Sequence, residues 1–269
     1  MPEDWSYFMK KSLWFATIIA GLGLVPAFAQ PGLPGGRVGP HLGAAMDKLF
    51  GANQAFSGTM EIQTPGPSGS DMIMSGKLSY DAGKSRLEIS MSQVQGGGMP
   101  PALLQQIKAM DMDAVITISR PDLKLAYVVY PGLNSYAQMA SEDAAASTNL
   151  DDYKMETTEL GKESVDGHDC VKNKVTVTDK EGAQHESTVW NATDLKNFPM
   201  KIQTTEQSQS VTMRFKNVTF DKPAASLFEI PAGFTKYDSV ATMLQTEMMK
   251  KMGGGLPTAQ PGGAVPPQH

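Results

Sequence analysis

The residues of this chain that could do chemistry are four histidines, one cysteine, a Gly96–Gly98 run and an unusual number of methionines. His41, His168, His185 and His269 stand apart in sequence, with no pair at a metal-ligand spacing, so neither a zinc site nor a histidine base is expected. Cys170 follows Asp169, an acid that raises rather than lowers a thiol pKa. It reads as a small buried apolar residue, not as a nucleophile. Ser–His–Asp sets can be assembled from any chain of this size, but no Gly-x-Ser-x-Gly elbow is present. Gly96–Gly98 lies between a strand pattern and a helix pattern without the Lys-Ser/Thr of a phosphate loop, which leaves it a hinge. Two sequons, Asn191-Ala-Thr193 and Asn217-Val-Thr219, read as chance matches in a chain with a bacterial-type export signal. The expectation is therefore a protein with no catalytic residues, no metal, no cofactor and no enzymatic activity.

The 18 methionines are a different kind of signal. Met60, Met72, Met74, Met91, Met200 and Met213 fall on apolar strand faces, and Met110, Met112, Met243, Met248, Met249 and Met252 on helix patterns. Three chemistries fit thioethers in such places. They fill ordinary cores, they line adaptable apolar cavities, and in close clusters they bind copper(I). Only "TEMMKKM" is dense enough for the last.

The elements that must position these residues alternate with period two. In "AFSGTMEIQ", Phe56, Gly58, Met60 and Ile62 share one face, and "DMIMSGKLSY" does the same for Met72, Met74, Leu78 and Tyr80. Asp81-Ala82-Gly83-Lys84 turns the chain into "SRLEISM". Paired prolines open "PPALLQQIKAM", a helix whose apolar side is Leu103, Leu104, Ile107 and Met110. Short strands follow in "VITIS", "LAYVVY" and "SYAQM". "SEDAAASTN" is a surface connection that marks no domain boundary. The last third carries strands in "METTELGKES", "CVKNKVTVTD", "HESTVWN", "MKIQTTE" and "SVTMRFKNVTF", with a phase slip near Lys216-Asn217 that marks a bulge. A helix pattern at each end completes about ten antiparallel strands.

Before this domain, Lys10-Lys11, an apolar run from Leu13 to Val25 and Ala27-Phe28-Ala29 form a three-part export signal, with Met1 or Met9 as its start. The run is too short to span a bilayer. The expected organisation is residues 1–29 signal peptide, 30–40 linker, 41–252 domain, and 253–269 a Pro/Gly-rich tail that cannot bury apolar surface. The processed protein is expected in the periplasm, soluble and not membrane-spanning. With one cysteine it has no internal disulfide and relies on its core. A formal charge of -5 with no basic run argues against nucleic acid and against docking on anionic lipid.

"GKESVDGHDCVKNKVTV", "STVWNATDLKNFPMKIQT" and "MRFKNVTFDKPAASLFEIPAGF" resemble the LolA/LolB-like outer-membrane lipoprotein carrier superfamily. More specifically they resemble a periplasmic branch of it labelled a domain of unknown function. The resemblance runs over about residues 41–238 and is strongest over 155–238. It implies a mainly β (α+β) fold, a curved antiparallel sheet forming an incomplete barrel whose concave side is covered by helices, with 101–113 as a lid hinged at Gly96–Gly98. It also implies an apolar ligand (a lipid, an acyl chain or a lipoprotein anchor) in a cavity lined by Met60, Met72, Met74, Leu78, Met91 and Met213, with Leu104, Ile107 and Met110 on the lid. Other envelope proteins are further candidate partners. The alternative is an envelope stress-sensing or scaffolding module with the same barrel and no transported ligand. The carriers hold the lid with an inner arginine. Arg86 is the only comparable base, but alternation sets it opposite Leu87 and Ile89, so that role does not carry over. On the same reading, Phe228 and Ile230 of "SLFEIPAGF" close one end of the barrel as a final strand.

Overall fold

A computed structural model of the 269-residue chain describes residues 44–66, 69–96, 100–140, 153–178, 182, 184–206, 209–251 and 253. The expected signal peptide, the 30–40 linker, His41, the 141–149 connection and nearly all of the 253–269 tail lie outside these residues. Among the described residues no helix is long and apolar enough to cross a membrane.

The alternating patterns become strands where they were expected. Helix α1 (Ala44–Leu49) leads into β1 (Ala55–Pro65), β2 (Asp71–Asp81) and β3 (Lys84–Ser90). In β1, Phe56, Met60 and Ile62 are buried, and in β2 every even residue from Met72 to Tyr80 is buried. The β2–β3 turn puts Ala82 and Gly83 at positive φ (50° and 85°), the conformation that a two-residue hairpin requires. A short β4 (Gln95–Gly96) adds to β2, and α2 (Pro101–Ala109) follows with proline in its first turn, where the missing N–H costs nothing. β5 (Ala114–Arg120), β6 (Leu125–Tyr130) and β7 (Ser135–Ala140) are joined by turns that end on Lys124 and Asn134 in the left-handed region. The second half is a meander of β8 (Lys154–Val165), β9 (His168–Thr178), β10 (Gln184–Ala192), β11 (Phe198–Glu206) and β12 (Gln209–Thr219), followed by β13 (Thr235–Tyr237) and α3 (Val240–Lys251).

All of these strands belong to one 13-stranded sheet in the order β13-β7-β6-β5-β3-β2-β1-β12-β11-β10-β9-β8, with β4 beside it on β2. The sheet is open, because its outer members β13 and β8 do not pair. Curvature is visible in the register. The β1–β12 pairing shifts between Ser57 and Thr59, opposite Asn217 at φ 52°, where the phase slip places a bulge. Gly58 sits at this point. A Cβ there would lie 2.9 Å from the Lys216 carbonyl oxygen, so the strands approach more closely than any side chain allows.

The expected mainly β fold with one curved, open sheet is present; it has thirteen strands where about ten were expected, and one short pair, β13 with β7, runs parallel. The closing-strand reading of "SLFEIPAGF" is corrected. Ala225–Phe228 is a single 3-10 turn, and Phe228 packs with Ile116, Ile118 and Val129. Alternation in β5 and β6 sets these three on the face opposite Val115, Thr117 and Val128. After β12 the chain therefore crosses the outer face of the sheet as a strap and rejoins it at the far edge as β13. Arg86 donates to the Leu227 carbonyl (3.0 Å), and Arg120 donates to the Phe228 carbonyl (3.2 Å) and to the Glu229 carboxylate (2.5 Å). Arg86 thus faces outward, as alternation required, and its partner is the strap.

Candidate functional site

The inner face is built by register. Phe56 pairs with Tyr80, Gly58 with Leu78, Met60 with Gly76 and Ile62 with Met74 across β1–β2, while Met60 and Ile62 face Phe215 and Met213 across β1–β12. Directly paired residues share a face, so one surface runs from an aromatic end to a methionine end. At the aromatic end, Phe50, in the turn after α1, meets Phe56, Tyr80, Phe198 and Phe215 with ring centroids 4.8 to 5.9 Å apart. Burial pushes the Tyr80 hydroxyl far above its ordinary pKa, with the Asp47 carboxylate adding to the shift. At the other end lie Met60, Met72, Met74, Ile62 and Met213, with Leu78, Leu87 and Ile89 beside them. Gly76, paired with Met60, lies where Leu87 and Ile89 already fill the side-chain layer. A Cβ there would meet the Glu88 carbonyl oxygen at 2.6 Å, so no larger residue fits.

Five of the nine expected ligand residues, Met60, Met72, Met74, Leu78 and Met213, come together in this one cluster. The others are placed elsewhere. Met91, Ile107 and Met110 join a second cluster on the inner side of β5–β7 with Met112, Val115, Val128, Ala137, Val240, Met243 and Leu244. Val94 touches both clusters. Leu104 is half-buried and belongs to neither. Helix α2 therefore lies beside the methionine surface, over β5–β7, with α3 as its neighbour. All five residues of the first cluster are buried, from 1 % exposure at Met60 to 8 % at Met72.

The two helices are held in different ways. The end of α2 is fixed. Asp111 takes φ 55°, its carbonyl oxygen would lie 2.3 Å from a Cβ on Gly132 in the β6–β7 turn, and its carboxylate meets Lys251 of α3. In the first turn of α2, Pro101 and Ala102 are exposed and Leu103 and Leu104 half-buried. Helix α3 carries Glu247, almost fully buried, which accepts from Ser135 Oγ (3.1 Å), Tyr237 Oη (2.6 Å) and Lys250 Nζ (2.9 Å). Burial pushes the Glu247 carboxyl up, but these three donors outweigh it and hold the group below the usual carboxylate range.

Among the described residues no three His, Cys, Asp or Glu side chains gather in a way that could hold a metal ion. Cys170 is buried at 2 % exposure, and burial pushes its thiol up, as the adjacent acid suggested. One pair was not legible in the sequence. His168 Nδ1 lies 2.7 Å from Asp194 Oδ2, a carboxylate 26 positions away that the β10–β11 turn brings to the start of β9. A pocket of about 380 Å³ opens beside it, lined by Asp166, His168, Leu195, Met200, Lys216, Asn217 and Val218, and none of the nine expected ligand residues lines it.

No curated protein matches the sequence. Among solved structures, the chain is similar to a LolA superfamily protein from Nitrosomonas europaea, at 10 % identity over 69 % of this chain and 94 % of that one, with a TM-score of 0.37. It is similar to the lipoprotein LppX of Mycobacterium tuberculosis at 13 % identity, 70 % and 94 % coverage and a TM-score of 0.39. It is similar to LprF of Mycobacterium bovis at 12 % identity, 71 % and 95 % coverage and a TM-score of 0.34. Residues 56–198 match the family model described as "Domain of unknown function (DUF4412)", a stretch that covers more than half of the chain, and the protein belongs to that family.

Proposed function

We propose that the protein is a non-enzymatic periplasmic binding protein that takes an apolar ligand, a lipid acyl chain or lipoprotein anchor, against the methionine end of the inner face. The observation that supports this is the convergence of Met60, Met72, Met74 and Met213 on one surface from three strands. Unbranched thioether side chains can repack around an irregular chain in a way that Leu or Ile cannot. Helix α2, fixed at its last turn and only partly buried at its first, is the element whose displacement would open the neighbouring inner face. Export to the periplasm rests on the signal pattern in residues 1–29.

A second reading has its own support. The same methionines are already buried by protein, which suits a closed module that meets other envelope proteins through its surface and carries nothing. Titration of the full chain with cis-parinaric acid separates the two. Saturable binding that Met74→Gln weakens about tenfold, the effect of ~1.4 kcal/mol, supports the ligand site. No binding to folded protein sinks that reading and leaves the interaction module.

A further inference from the structure

The outer face of β9–β12 carries a row of residues that plays no part in the inner-face reading. In register, Lys172 stands opposite Trp190, Trp190 opposite Lys201, Lys201 opposite Arg214, and Arg214 opposite Glu61 of β1. Cross-strand partners share a face, about 4.8 Å apart from strand to strand. Glu61 alternates with the inner-facing Met60 and Ile62, so the row points outward.

Acids terminate the row at both ends and are engaged there. Glu163 accepts from Trp190 Nε1 at 2.9 Å and lies 3.5 Å from Lys172 Nζ. Glu61 turns to Lys216, at 2.8 Å. In the middle, Lys201 and Arg214 form no salt bridge among the described residues. Lys201 Nζ lies 3.9 Å from the centroid of the Trp190 ring, a contact that orients the ammonium without neutralising it. Trp190 itself is 2 % exposed, roofed by the two lysines. The Nε of Arg214 is buried and donates to no acceptor among the described residues. A buried guanidinium N–H without an acceptor is costly, and such groups in native proteins are usually completed by a water or an ion. Burial, and after it the nearby Arg214 charge, lower the Lys201 pKa, and the more distant Glu163 and Asp166 carboxylates offset this only in part.

We propose that Lys201 and Arg214, with Lys172 beside them on Trp190, form a binding site for a phosphate group on the outer face of the sheet. Two cations one strand apart, neither in a salt bridge among the described residues, suit a tetrahedral oxyanion. The Arg214 fork can address two of its oxygens and the Lys201 ammonium a third. The phosphate is either free or carried by a lipid headgroup, and the chemistry of recognition is the same.

The test uses the full chain with Trp5→Phe and Trp14→Phe, which leaves Trp190 as its one tryptophan and places the reporter inside the site. Inorganic phosphate is titrated in a zwitterionic buffer, and in parallel vesicles of phosphatidylglycerol and phosphatidylcholine are compared with phosphatidylcholine alone. A saturable change in Trp190 emission is expected, weakened roughly tenfold or more by Lys201→Gln or Arg214→Gln, since charge-assisted contacts are lost. Lys201→Met keeps the stem over the indole and gives the same loss without disturbing the ring. Lys174→Gln, whose partner is Glu186 at 2.8 Å, leaves binding unchanged. A response to free phosphate identifies the anion itself as sufficient, and a response only to phosphatidylglycerol vesicles assigns the site to a headgroup. If neither probe gives a response that the Lys201 and Arg214 variants reduce, the proposal is overturned.

Discussion

Truncating Phe228 tests the outer strap. Its ring is 1 % exposed, packed on Ile116, Ile118 and Val129, with Lys84 Nζ 5.4 Å above it. Phe→Ala at a fully buried site costs ~3–5 kcal/mol. The lower end applies here, because the strap lies at the surface and the Lys84 stem can settle into part of the void. For a domain of about 200 residues, each kcal/mol lowers Tm by ~2–4 °C, so Phe228→Ala is expected to lower it by about 6–12 °C. The loss should also be local. Arg86 and Arg120 hold the strap through two carbonyls and one carboxylate, and loosening Phe228 should expose residues 224–234 to protease well below the melting transition, while binding of cis-parinaric acid by the folded protein is unchanged. Circular dichroism melts, limited proteolysis with mass mapping and the fatty-acid titration read these three quantities. An unchanged Tm would show that the strap does not depend on this ring. Loss of fatty-acid binding in protein that stays folded would place the strap in the ligand site and refute the assignment of the two faces.

Three further outcomes are expected. Leu104→Asp, at a half-buried position outside both clusters, should shift Tm by less than ~2 °C, whereas Ile107→Asp puts an unpaired charge into the β5–β7 cluster and should cost several kcal/mol; equal effects in thermal melts would mean that α2 packs on a different side. Glu247 has a folded pKa below its unfolded value, so its stabilising contribution is complete above the ordinary glutamate pKa of ~4.3 and is lost as pH falls through the lower folded value. Glu247→Gln should therefore flatten the acid limb of the Tm–pH curve below about pH 4.5, and an unaltered limb would remove the group from the acid response. The Cys170 thiol, buried and raised, should react with a soluble disulfide reagent only as fast as the protein opens; instant stoichiometric reaction in native buffer would contradict its burial.

Much of the fold was legible because period-two alternation is a strong signal when one face is wet. Phe56, Met60 and Ile62, and Met72 to Tyr80, fall where the pattern sets them, and the bulge at Asn217 appeared as a phase slip before any register was known. Turns were legible for the same local reason, since Pro, Gly and Asn announce backbone conformations; of the expected Gly96–Gly98 hinge, Gly97 and Gly98 lie outside the described residues. The strap was not. "SLFEIPAGF" has the composition of a strand end, and nothing local distinguishes a segment that completes a sheet from one that lies across its back. That difference depends on which outward residues of distant strands are apolar. Ile116, Ile118 and Val129 were the available clue, because a strand buried on both faces reads as a continuous apolar run, as "VITIS" and "LAYVVY" do.

The candidate site divides in the same way. Alternation brings Met60, Met72, Met74, Leu78 and Met213 together, because all five follow from strand parity and pairing of neighbours. It could not place α2, since a helix's partner surface depends on where its last turn docks, here the glycine of the β6–β7 turn, 21 positions beyond Asp111. The outer row of Lys172, Trp190, Lys201 and Arg214 was invisible for a third reason. Each residue sits in a different strand with ordinary alternation, and only the register, with its shift between Trp190 and Asn191, aligns them. A single-residue slip in β11 would move Lys201 to the inner face and Ile202 outward. The register that buries Ile202 at 0 % exposure is therefore the same one that assembles the cations. Core packing and the outer site are specified together, so a substitution at Ile202 that loosens β11 should impair the phosphate response of Trp190 from the opposite side of the sheet.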